Sequence, residues 1–233
     1  VLRFVKGETD YQLGVIPYRY FEGEYAMRGS SVYQQTLNLT SEEKLRLAQL
    51  LDENYHPSNR TYRYNYFYDN CTTRARDKVE QGIEGKVMYP QTMEKRSFRE
   101  IVREYTDGHE WSAFGIDLCL GSEADEPIDE RKQMFAPFYM MEFAREAKIH
   151  RADTIVPFVK AEKKLLDFSS KDEELFEKAE GLSLLSPMSF ALTWLLLTIG
   201  VMALGVKNKK VYWLWDILLF GAQGMPPDTM PEA

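Results

Sequence analysis

Cys71 is the residue in this chain on which covalent chemistry can be built. It stands in the stretch Tyr62-Arg-Tyr-Asn-Tyr-Phe-Tyr-Asp-Asn-Cys-Thr-Thr-Arg-Ala-Arg-Asp77. From Thr72 to Val79 there is neither Gly nor Pro, so the chain reads as the first turns of a helix with the thiol at or next to its N-terminus. The first N–H groups of a helix lack internal partners, and the dipole there favours negative charge. That field favours the thiolate, which is the nucleophilic form. Arg74 and Arg76 add positive charge within about a turn. Backbone N–H groups at the helix start, assisted by Asn70, can stabilise an oxyanion. Thr72 and Arg74 are the other supporting residues, and all three read equally as groups that cap the helix and fix the turn. The thiol itself also reads as a small buried apolar group, or as half of a disulfide with Cys119, the only other cysteine.

The elements that must position this thiol follow from local pattern. Tyr62, Tyr64, Tyr66 and Tyr68 place an aromatic at every second position, which predicts a β-strand, although Phe67 breaks strict alternation. Asp69-Asn70 is a turn pair, and the helix after Cys71 is expected to run to about Gln81 and stop at Gly82. Thr40-Ser-Glu-Glu43 is a capping box ahead of Leu45, Leu47, Leu50 and Leu51, predicting a helix over 41–54. Ser97 to Tyr105 predicts another, with Phe98, Ile101 and Val102 on one face. Val1 to Tyr25 reads as short strands and turns, and Gly29 to Leu39 as extended chain. Cys119, in Phe114-Gly-Ile-Asp-Leu-Cys-Leu120, reads as core packing in a strand. Pro127 to Ala147 is expected to be mostly helical, interrupted near Pro137. Lys160 to Ala179 is highly charged and reads as a solvated helical or flexible connector.

Composition excludes several functions. The net charge is −7, which gives no basic footprint for nucleic acid. The acidic run Gly121-Ser-Glu-Ala-Asp-Glu-Pro127 lacks the spacing of a calcium loop and reads as solvated. No metal or cofactor site is expected. Of the three histidines, His56 lies in a loop about fifteen residues before Cys71, His109 in a turn, and His150 after an amphipathic helix. Each reads as a surface residue, with His56 the best placed to stand in as a base. Pro187 to Val206 carries no charge over about twenty residues, enough to span a hydrocarbon core of about 30 Å. Lys207-Asn-Lys-Lys210 follows at once and marks the cytoplasmic side. Residues 1–185 are then expected outside the cytoplasm. A second apolar run, Val211 to Met225, contains Asp216 and is short for a span.

The core Asp-Asn-Cys-Thr-Thr-Arg74, with the aromatic run before it, resembles the signature of the Lnb family of bacterial membrane proteins. Leu2 to Gly14, Gln35 to Lys44, Gly115 to Gly121 and Met134 to Tyr139 resemble other blocks of that family. The resemblance implies an α+β domain related by circular permutation to NlpC-type and papain-type cysteine enzymes, followed by a transmembrane helix segment. It implies a periplasmic catalytic domain over residues 1–160, a charged connector over 161–185 and a membrane segment over 186–233, with one full span at 187–206 and a partial second at 211–225. It implies residence in the bacterial inner membrane, with the N-terminal domain in the periplasm. The implied activity is transfer of an acyl chain from phospholipid to the N-terminal cysteine amine of lipoproteins through a Cys71 thioester, with Asn70 and Arg74 in support. The partners would be phospholipid, lipoprotein and membrane. In such enzymes the histidine base precedes the cysteine, so the base is expected upstream of Val1, and the given stretch is expected to be truncated at both ends. Two other readings stay open: a periplasmic cysteine peptidase or amidase of NlpC type, and a non-catalytic membrane-anchored scaffold with a Cys71–Cys119 disulfide.

Overall fold

The computed structural model describes residues 8–92, 94–168 and 186–208. The chain divides into two units, Val1–Gly181 and Leu182–Ala233. The first mixes helices with short antiparallel strands, as the α+β expectation requires.

In chain order the first unit opens with β1 (Asp10–Gln12) and α1 (Tyr18–Arg28). Strands and turns were expected over this stretch. A helix forms instead, and it ends at Gly29, which adopts φ 69° and donates to the Ala26 carbonyl while Ser30 N donates to that of Tyr25, a left-handed stop. β2 (Val32–Leu37) and α2 (Ser41–Tyr55) follow. The α2 start matches the capping-box expectation: Thr40 Oγ1 accepts from Glu43 N, and Glu43 accepts from Thr40 N.

The aromatic stretch forms a strand only over β3 (Thr61–Arg63), which pairs with β1. Beyond it the chain turns rather than continuing extended. Asn65 and Asp69 exchange backbone hydrogen bonds, and the Asn65 side chain accepts from the N–H groups of Phe67 and Tyr68. An Asx turn thus overrides the strand-like alternation. α3 (Cys71–Gly82) begins immediately after. It packs against α2 closely at Gly82, where an added Cβ would sit 3.2 Å from that of Leu47.

β4 (Lys86–Met88), β5 (Arg96–Ser97) and α4 (Phe98–Tyr105) come next. The expected face of α4 is buried, with Phe98, Ile101 and Val102 each no more than 3% exposed. α5 (Glu110–Cys119) occupies the stretch expected to be a core strand and buries no residue. The acidic run contains a 3-10 turn (Ser122–Asp125), held by the Asp125–Arg99 ion pair at 2.6 Å, and leads into β6 (Pro127–Ile128). α6 (Glu130–Gln133) and α7 (Pro137–Glu146) reproduce the helical stretch interrupted at Pro137, which starts α7 at a position where its missing N–H is harmless. β7 (Lys148–His150), β8 (Ile155–Pro157) and β9 (Val159–Leu166) complete the unit.

β9 corrects the connector reading of residues from Lys160. Its backbone completes a ladder with β2, from Val32↔Leu166 to Leu37↔Val159. The rest of the connector and the second apolar run lie outside the described residues.

Two buried clusters support these elements. One gathers α4 with Ala124, Ile128, Phe135 and Ala136, and takes Phe67 against it. The other gathers Ile83, Ala144, Ala147, Ile149 and Phe158 beside β2, β4 and β8. In the second unit, α8 (Pro187–Asn208) is long and apolar enough to cross a membrane, and none of its apolar window is buried.

Candidate active site

Cys71 is the first residue of α3, and its side chain is exposed. The helix starts there because Asn70 caps it. The buried Asn70 carbonyl oxygen, Oδ1, accepts from Thr72 N and Thr73 N, each at 2.9 Å, and Asn70 N donates to Thr73 Oγ1. The Asn70 amide nitrogen donates to the carbonyls of Tyr66 and Phe135, each at 2.9 Å. Both amide hydrogens are therefore taken. This corrects the expectation that Asn70 assists in an oxyanion hole: it locks the turn, the helix start and the Phe135 segment together. Arg74 N donates to the Asn70 carbonyl, so among the first-turn groups the N–H of Cys71 itself is the one without a partner among the described residues.

Arg74 also differs from expectation. It grips Asp69 through two bonds, Nε to Oδ1 at 2.6 Å and Nη2 to Oδ2 at 2.7 Å, and its guanidinium lies 3.5 Å from the Tyr62 ring centroid. Its charge is offset by Asp69, so it braces the loop before Cys71 instead of facing the sulfur as a free cation. Arg76 is buried, bound to Asp77 and to the Arg131 carbonyl.

Two residues that sequence reasoning assigned to a strand belong to the site. Tyr62 and Tyr64 lie close enough to Cys71 for negative charge on the sulfur to oppose their ionisation. Burial first, and this neighbour second, push the Tyr64 hydroxyl up to about 12. Tyr64 stacks on Tyr11 with ring centroids 4.1 Å apart. The aromatic alternation was the available signal; that it lines a thiol was not visible without the turn at Asn65–Asp69.

Among the described residues no hydrogen bond joins a histidine to Cys71. His56 caps the end of α2 and bonds Ser58 at 2.8 Å, His109 stands at the start of α5, and His150 sits in β7 opposite Lys86. Cys71 and Cys119 are both free and exposed, which overturns the disulfide on which the scaffold reading depended. Cys119 ends α5 at the surface, not in the core.

Residues 1–88 match the family model of the Lnb N-terminal periplasmic domain. Residues 178–226 match that of the Lnb transmembrane domain. No curated protein and no solved structure matches the chain.

Proposed function

We infer the function from the premise that this chain belongs to the Lnb family and is an inner-membrane protein with its N-terminal domain in the periplasm. Its coarse role is that of a membrane-anchored, Lnb-type lipoprotein-processing protein.

Within that role the site supports thiol acyl transfer best. The observation that carries this reading is an exposed thiol at the first position of a capped helix, with its own N–H uncommitted. Attack of the Cys71 sulfur on a phospholipid ester carbonyl forms a C–S bond. It expels the lysophospholipid alkoxide, which takes up the proton given by the thiol. The amine of a lipoprotein N-terminal cysteine then attacks the thioester, loses a proton as the amide forms, and returns the thiol. In both steps charge develops on the carbonyl oxygen, and the Cys71 N–H is the backbone donor left to meet it. The Tyr64 hydroxyl keeps its proton through the neutral range and serves as a donor rather than a base. Asn70 and Arg74 are positioning residues. A nucleophile at the start of a helix, beside antiparallel strands, also supports kinship with the permuted NlpC-type and papain-type enzymes.

The membrane span keeps the domain where lipid donor and lipoprotein acceptor both reside, which raises their effective concentration. The test is Cys71→Ser in the full-length protein, with mass spectrometry of lipoprotein N-termini. Loss of the N-acyl chain is expected. Full N-acylation by the variant would remove the nucleophile assignment for acyl transfer, and loss of wall-peptide release with N-acylation intact would favour the peptidase reading.

A further inference from the structure

An attacked carbonyl needs several preorganised donors aimed at the oxygen on which charge develops. The start of α3 supplies one, the N–H of Cys71. The side chains nearest in sequence are largely spent. Asn70 gives its amide hydrogens to Tyr66 and Phe135, and Arg74 gives Nε and Nη2 to Asp69. A further donor has to come from another element, and β3 is the one packed beside the thiol.

Tyr62 of β3 pairs with Tyr11 of β1. It shares a strand face with Tyr64, their ring centroids 6.4 Å apart. Cys71 and Arg74, three residues apart in α3, share one face of that helix. The Arg74 guanidinium lies 3.5 Å from the Tyr62 ring centroid, which lays that helix face against the tyrosines of β3. The two bonds from Arg74 to Asp69 fix the stack. The Tyr62 ring is thus held in place and partly buried, yet its hydroxyl has no hydrogen-bond partner among the described residues. Burial pushes that hydroxyl above its ordinary value, and the Arg74 guanidinium pulls the other way. It keeps its proton through the neutral range, and the adjacent cation strengthens it as a donor.

We propose that Tyr62 is a catalytic residue of this site, its hydroxyl donating, together with the Cys71 N–H, to the oxygen of the carbonyl that the sulfur attacks. The inference rests on the thiol acyl-transfer reading. As the C–S bond forms, the carbonyl electron pair moves onto oxygen, where both donors hold it. Its return breaks the C–O bond and expels the alkoxide. The tyrosine lends its hydrogen bond and gives up no proton, which suits a phenol of low acidity. Asp69 and Arg74 act through it as positioning residues. Tyr64 lies on the same strand face, but its hydroxyl is pushed up to about 12 without Arg74 to oppose the shift, which makes it the weaker donor.

The experiment uses the full-length protein in detergent with p-nitrophenyl butyrate, an activated ester. Attack by Cys71 leaves a butyryl thioester and releases p-nitrophenolate. The thioester is read on the Cys71 peptide by mass spectrometry, because Cys119 is exposed as well. The second measurement is alkylation of the same peptide by iodoacetamide, which displaces iodide at a saturated carbon and forms no oxyanion. Tyr62→Phe keeps the ring and its contact with Arg74. We expect it to slow thioester formation about 100-fold while the alkylation rate stays within about twofold. Tyr64→Phe should cost less. Absence of a Cys71 thioester in the parent protein would remove the acyl-transfer reading, and this role with it. With the parent active, an undiminished rate in Tyr62→Phe, a larger loss in Tyr64→Phe, or equal slowing of both reactions would overturn the role of Tyr62 alone.

Discussion

At the start of α2 the capping box pairs Thr40 with Glu43; at the start of α3 it pairs Asn70 with Thr73. In α2 the first turn carries two acids, Glu42 and Glu43, whereas in α3 it carries none. Glu43 is 1% exposed and binds Arg151 at 2.6 Å, as well as the N–H of Glu84 at 3.0 Å. The field at the α2 terminus is thus met by a carboxylate that also ties three distant segments together. The box of α3 is built from neutral groups, so its field remains for an anion formed at residue 71. One capping device serves stability at α2 and leaves room for chemistry at α3.

Breaking the first half of this contrast should have the largest effect. Glu43→Gln leaves the Arg151 guanidinium, itself mostly buried, without its partner. We expect a loss of about 3–5 kcal/mol in unfolding free energy, read from fluorescence-monitored denaturation of the full chain. Asn70→Ala removes the α3 cap and the two hydrogen bonds that Asn70 gives to the Tyr66 and Phe135 carbonyls. A loss of about 2–3 kcal/mol is expected by the same measurement. On the acyl-transfer proposal, N-acylation should fall with it even at a temperature where the variant stays folded, because Cys71 no longer has a fixed helix start behind it. Undiminished acylation at that temperature would separate cap from catalysis.

Thr72→Glu gives α3 the acidic first turn that α2 has. Stability should stay level or rise by a few tenths of a kcal/mol, while alkylation of Cys71 by a small reagent slows about two- to fivefold. An unchanged rate would mean that the terminus field does not act on the sulfur.

The smallest effect concerns acid. Burial pushes the Glu43 carboxyl up, but the Arg151 guanidinium and the N–H groups of Thr40 and Glu84 outweigh it and hold the group below its ordinary 4.5. A lowered folded value means that its stabilisation is complete above pH 4.5 and is lost as pH falls through the folded value. Glu43→Gln should therefore flatten the decline in stability below that pH. The flattening will be partial, since backbone and side-chain hydrogen bonds from Ser97 also hold Glu100 down. Thr73→Val, which weakens a neutral box, should leave the slope as it is.

Much of the α2 and α3 starts was legible because capping is local. Thr40 and Glu43 lie three residues apart, as do Asn70 and Thr73, and α4 shows its buried face through its own spacing. The α1 helix was obscured by its aromatic content, and β9 by its charges. The strand of β9 exists because β2, more than a hundred residues earlier, offers it a ladder.

The sequence by itself determined that a thiol stands at a helix terminus, that an uncharged span of about twenty residues follows the domain, and that lysines mark the cytoplasmic side. Each depends on neighbours within a few turns of chain. Only the tertiary structure decided what surrounds that thiol. It closed the loop at Asn65–Asp69, turned Arg74 onto Asp69 and Tyr62, and brought Phe135 to occupy the Asn70 amide across 65 residues. It joined Glu43 to Arg151 across 108 residues. Such pairings depend on which surfaces the fold buries together, and no local pattern encodes a partner that distant along the chain.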